Sequence, residues 1–198
     1  MMTNNEFVAR LQVALSRLDE IVLTAVPNAA LPPGASEDEV RQRGEDLGLT
    51  FTDEIVAYYG WHNGWGSWSL DLEFRSGGFE EDLANTQFRR REAADLAADF
   101  GVTADFLFGR TWHTPTTNRT RGPVLDCSGP AAAPTPVLNL ELELMIDRYS
   151  ERVFGSLAEY MEGLVELFEA GAFAFNSSGR ARETRVIVQR LFAKGVYN

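Results

Sequence analysis

Residues 137–146 read V-L-N-L-E-L-E-L-M-I, and the alternation within them constrains the fold more than any other stretch of the chain. A period of two puts Leu138, Leu140, Leu142, Leu144 and Ile146 on one side of a strand and Asn139, Glu141 and Glu143 on the other. Such a strand needs neighbours to complete its backbone hydrogen bonds and a second layer to cover its leucines. The period-two pattern predicts that the opposite, polar face stays open. The covering layer is written at a different period. Phe7, Val8, Leu11, Leu15, Leu18 and Val22 recur at three- and four-residue steps and predict a helix over about 4–24. Leu157, Tyr160, Met161, Leu164, Val165 and Phe168 predict another, opened by a Ser156–Glu159 capping box and stopped at Gly171.

The remaining elements fall between these landmarks. Leu31-Pro32-Pro33-Gly34-Ala35 is a rigid turn, after which Ser36 and Glu39 form a capping box for a helix ending at Gly48. Thr52 caps a third helix whose first turn carries Asp53 and Glu54 against the positive end of the helix dipole, and His62-Asn63-Gly64 closes it as a turn. Trp68, Leu70, Leu72 and Phe74 alternate with Ser69, Asp71, Glu73 and Arg75 as a second half-buried strand. A helix follows over about 81–100, with short strands at 106–112 and 124–127 and a proline-rich loop at 128–136. The last helix is expected over about 182–194, within a basic helical segment at 180–198. Helices, then strands, then helices predict an α+β fold. The expectation is one domain over 1–198, with a central, mainly antiparallel sheet, helices packed on one face, and helices at both ends. A chain of 198 residues buries enough surface to need neither disulfide nor structural metal.

The formal charge is −11, and it is unevenly spread: residues 180–198 carry +4, leaving −15 for the rest. A negative field repels phosphate backbones and anionic lipid, so neither nucleic acid nor membrane is an expected partner, whereas a basic protein is. The N-terminal residues lack the basic start and apolar run of a signal peptide, and the chain has one cysteine; both features predict a cytoplasmic protein.

Signatures of enzymes are few. The chain holds no P-loop, no H-E-x-x-H and no nucleophile elbow. Cys127 with a distant histidine offers a thiol nucleophile and base, against the commoner reading of a small buried hydrophobe at a strand end. Asp71 with Glu73 and Glu141 with Glu143 pair carboxylates on one strand face. Three readings apply to them: a solvated sheet face, an electronegative surface for a basic partner, or a metal or acid–base site. His62 and His113 read as turn or capping groups in preference to ligands. Trp61, Trp65 and Trp68 crowd around two glycines; alternation buries Trp68, while Trp61 and Trp65 are open to core or partner-anchor roles. No cofactor or metal is expected.

From Leu31 to Gly64 the chain reads L-P-P-G-A-S-E-D-E-V, then E-D-L-G-L-T-F-T-D-E-I-V-A-Y-Y, then H-N-G. This order resembles the opening of the SUKH superfamily: a proline–glycine turn into a helix, "lG" before a short helix, and a tyrosine-bearing stretch running into "hNG". Trp112, Val124-Leu125-Asp126-Cys127 and the entry V-F-G-S-L-A-E-Y at 153–160 are similar to that family's later landmarks, so the resemblance spans about 25–170. It implies a protein-binding α+β domain without catalytic residues, in which Gly34, Gly48, Tyr58, Asn63, Gly64, Trp112 and Asp126 are structural. Many bacterial members are immunity proteins of polymorphic toxin systems that neutralise a cognate toxin, often a nuclease, in the cytosol; a fungal branch regulates cell-wall synthesis through protein contacts. Seventeen of the 18 basic residues are arginine, as high-GC bacterial coding favours.

The expected function is therefore a cytoplasmic toxin-immunity protein, acting as a monomer or weak homodimer on a toxin with a basic surface. The contact is expected at Asp71, Glu73, Glu141 and Glu143 on the polar sheet face, rimmed by Trp65 and the Glu80-Glu81-Asp82 run. A regulatory adaptor is one alternative, and a hydrolase using Cys127 or paired carboxylates is another.

Overall fold

The computed structural model of the chain describes residues 3–64, 69–70, 78–88, 106–108, 112–113, 120–141, 151–171, 173–175 and 180–183. Its elements are mixed helix and strand, an α+β arrangement. Helix α1 (Asn4–Ala25) buries Leu11, Ala14, Leu15, Leu18 and Val22, the stripe that its periodicity predicts. Its start adds a pairing that the sequence reading lacked: the Thr3 backbone N–H donates to Glu6 Oε2 at 2.5 Å. Ser36 Oγ accepts from the Glu39 N–H to open α2 (Glu37–Asp46), and Thr52 Oγ1 accepts from the Ile55 N–H to open α3 (Asp53–Trp61). Helix α4 is described over 79–88. Ser156 Oγ caps α5 (Leu157–Glu169), whose Leu157, Met161, Leu164 and Leu167 are buried. Gly48 and Gly171 follow α2 and α5 with φ of 66° and 70°, the left-handed conformation that ends a helix most cheaply at glycine.

Strands β1 (Ser69–Leu70), β7 (Phe173–Phe175) and β8 (Arg180–Glu183) form a three-stranded sheet in the order β1-β8-β7, with β1 parallel to β8. A second sheet runs β2-β4-β5-β6 through β2 (Phe106–Phe108), β4 (Thr120–Asp126), β5 (Val137–Glu141) and β6 (Glu151–Phe154). In it β3 (Trp112–His113) also pairs with β4, and every pairing is antiparallel. One core cluster joins α1, α3 and α5 to this sheet through Leu125 and Val137, with Tyr58, Tyr59 and Phe79 among its largest buried side chains.

Two expectations change here. Residues 180–183 are strand where a basic helix was expected, because Arg180 and Ala181 pair with Ser69 and Leu70 while Ala181 to Glu183 pair with β7. The rest of that segment, 184–198, lies outside the described residues, as do residues 142–146 of the alternating segment 137–146. The sheet is also buried on both faces at the start of β5. Leu138, on the leucine side expected to be covered, is 6% exposed and Val124 opposite it 0%, but Val137, which alternation places on the side of Asn139 and Glu141, is also buried, at 1%, and joins the helical core with Leu125 opposite it. The expectation of an open face fails at this end of the sheet.

Candidate functional site

Chemistry concentrates where titratable groups are buried beside specific partners. Glu54 is completely buried in the first turn of α3. Its Oε2 accepts from the Thr135 N–H at 2.5 Å and its Oε1 from the Ala158 N–H at 2.8 Å, the latter in the first turn of α5. Burial raises its pKa above the ordinary carboxylate value despite these N–H donors. Thr52 and Thr135 share a hydroxyl–hydroxyl contact beside it. The carboxylate thus ties α3, the 127–136 loop and α5 together.

Asp82 corrects a sequence expectation. It is fully buried, not part of an exposed rim, and accepts from Tyr59 Oη at 2.7 Å. Burial drives the Tyr59 pKa well above its usual value, and the neighbouring carboxylate adds to this, so the phenol stays protonated as the donor. Removing the hydroxyl with Tyr59→Phe takes one donor from a buried carboxylate. We expect a loss of about 1–3 kcal/mol in urea unfolding; a midpoint equal to the parent's would show that Asp82 does not depend on Tyr59.

The other chemistry-bearing residues are also built into the fold. Cys127 is 3% exposed within the apolar core, its Sγ 3.6 Å from the Leu125 carbonyl oxygen; this is the buried-hydrophobe reading. Trp61 Nε1 donates to Asp19 Oδ2 at 2.8 Å, and the His62 ring nitrogens lie 2.8 Å from the Pro32 carbonyl and 3.1 Å from Asp19 Oδ1. Trp61 packs against the core, so of its two open roles the structural one holds. His62 is the C-cap residue of α3, as its turn position suggests. The side chain of His113 lies outside the described residues.

The surface carries the remaining signal. Glu80 and Glu81 open α4 and are exposed, as expected. They adjoin a second acidic helix: α2 exposes Glu37, Asp38, Glu39, Glu45 and Asp46 and buries only Val40 and Gly44. Arg43 holds the two helices together through both Glu80 carboxylate oxygens, at 2.7 and 2.6 Å, and Asp46 and Glu39 raise its pKa further. The signal was present in the sequence as E-D-E and E-D at the two ends of one short polar helix. Trp65, Asp71, Glu73 and Glu143 lie outside the described residues; Glu141 ends β5 with its backbone opposite Arg121. Glu80 and Glu81 are thus the expected partner residues that are exposed among those described.

Among the described residues no group of three or more His, Cys, Asp or Glu is placed to hold a metal, and no helix is long and apolar enough to cross a membrane. No protein-family model matches the chain, and no curated protein matches it.

Proposed function

We propose that this chain is a SUKH-like immunity protein that binds a cognate bacterial toxin in the cytoplasm and neutralises it, the toxin presenting a basic surface such as a nuclease cleft. The observation that carries the reading is the acidic shelf along α2 and the start of α4, in a chain of net charge −11. An acidic surface gains fast association with a basic cleft through electrostatic steering. The resemblance over 25–170 adds to this, because the residues that carry it have local structural uses. Asn63 Oδ1 accepts from the Phe79 N–H at 2.6 Å, Asp126 Oδ1 accepts from the Ser128 N–H at 2.9 Å, and Tyr58 is buried in the core. Such positions build a scaffold and leave recognition to the surface. In this reading the whole chain is one domain and Asp46, Glu80 and Glu81 contact the toxin. Trp65, Asp71, Glu73, Glu141 and Glu143 extend the contact.

Co-expression with the toxin encoded beside this gene should rescue growth, and the two proteins should co-purify as a complex. The double variant Asp46→Lys/Glu81→Lys should slow association by about tenfold at low salt and by less than about twofold at 0.5 M salt, where screening acts within a few ångströms. Stopped-flow mixing measures both. Rescue without a complex, or a rate indifferent to these charges, sinks the proposal.

A further inference from the structure

A groove of about 480 Å³ runs between α1 and α5. Val13 stands beside it with 71% of its surface exposed, next to Ala9 and the half-buried Val165. Charge is sorted across the groove. Arg10 and Arg17 line the α1 wall, and Glu162 and Glu166 line the α5 wall. Arg10 pairs with Glu162, and Arg17 Nε donates to Glu169 Oε1 at 2.7 Å. Both pairs join residues 152 apart, so the two helices run in the same direction with cations and anions level. Arg17 also bridges Glu20 on its own helix.

We propose that this groove is a contact between two copies of the chain, related by a two-fold axis parallel to the helices. That operation lays α1 of one copy over α5 of the other at the same level. Each arginine row then faces the partner's glutamate row, and Val13 enters the apolar centre beside Val165 of the partner subunit. A two-fold axis across the helices sets arginine against arginine and glutamate against glutamate, so charge selects the first operator. It also selects the occupant. A uniformly basic partner meets Arg10 and Arg17, and a uniformly acidic one meets the glutamates; a second copy is complementary to both walls at once.

The contact is small. The 13 residues of α5 span ~20 Å, which with two helix widths limits burial to roughly 400 Å² per copy, about half of a standard interface. The copies also repel one another at long range, with −11 on each. At ~0.15 M salt the screening length is ~8 Å, which weakens that repulsion while leaving charge pairs in direct contact effective. Weak association, with a dissociation constant on the order of 10⁻⁴ M, is the expectation.

Sedimentation equilibrium of the full chain up to ~1 mM tests this. The weight-average mass should rise from 22.0 kDa toward twice that value. Val13→Asp and Arg17→Glu should each weaken association at least about tenfold, and Arg17→Glu combined with Glu169→Arg should return it to within about twofold of the parent. Val13 is exposed, so its variant should keep the parent's melting temperature, and a melt recorded alongside checks that the fold is intact. A mass fixed at the monomer value up to ~1 mM overturns the proposal, as does a folded Val13→Asp chain that associates like the parent.

Discussion

Glu54→Ala is expected to cost about 3–5 kcal/mol, a large share of the 5–15 kcal/mol that holds a typical domain folded. The carboxylate is completely buried, and each of its oxygens accepts a backbone N–H from a different part of the chain, Thr135 and Ala158. Alanine leaves both donors buried without the carboxylate, at about 1–3 kcal/mol each, and opens a cavity. The Ala158 donor belongs to the first turn of α5, whose N–H groups and dipole favour a negative charge at that point. Urea unfolding should show a lower midpoint at unchanged slope. Glu54→Gln should cost less than alanine, since its carbonyl still accepts while its NH2 faces a donor. A loss below about 1 kcal/mol for alanine would mean that the three segments hold together without the carboxylate.

The same residue predicts a pH dependence. Burial raises the pKa of Glu54 above 4.5 in the folded protein, so the folded state takes up this proton at a higher pH than the unfolded chain does. The stability that this group contributes is therefore fully present below 4.5 and is lost as pH rises through the folded value. Relative to Glu54→Gln, the parent should gain stability as pH falls from 7 toward that range. Comparing the two proteins isolates Glu54 from every group that they share.

What the sequence disclosed and what it hid divide by the range of the interaction. Ser36, Thr52 and Ser156 were readable as caps because each acts on an N–H three residues away. Glu54 was readable as a first-turn acid, but its partners lie 81 and 104 residues further along, beyond any local pattern. Glu80, Glu81 and Asp82 look alike as a run, yet each helical residue is turned by ~100°, so Asp82 meets Tyr59 in the core while its neighbours stay exposed. Alternation identified β5 but not what covers it. Val137, on the side of Asn139 and Glu141, joins the helical core while Leu138 is buried on the other side, and a period-two pattern cannot say which side the helices take. Residues 180–183 become strand only because β1 and β7 flank them, a pairing that local propensity does not encode. Of the candidate surface, the α4 acids were legible; those of α2 were visible as composition, and their meeting with α4 through Arg43 was not.

Gly34→Ala should rank with Glu54→Ala, at about 2–4 kcal/mol, for a reason that lies wholly in the backbone. A Cβ built on Gly34 comes 2.9 Å from the Gly60 Cα and overlaps the Gly60 carbonyl group outright. Neither side can yield cheaply. The Ala35 N–H donates to the Tyr59 carbonyl at 2.9 Å and the Asn63 N–H to the Pro33 carbonyl at 3.2 Å, so the 31–35 turn is clamped along the end of α3. Pushing the strands of backbone apart to admit a methyl group breaks both bonds and disturbs His62, whose ring lies against the Pro32 carbonyl. Gly48→Ala is the contrasting control. Its φ of 66° is strained for alanine, but nothing lies within 4 Å of the added methyl, so it should cost only about 1 kcal/mol. Thermal melts of the two variants separate close approach from backbone strain. A Gly34→Ala chain as stable as Gly48→Ala would mean that the turn and the H-N-G segment do not meet closely. The proline–glycine and H-N-G parts of the resemblance would then lose the physical link between them.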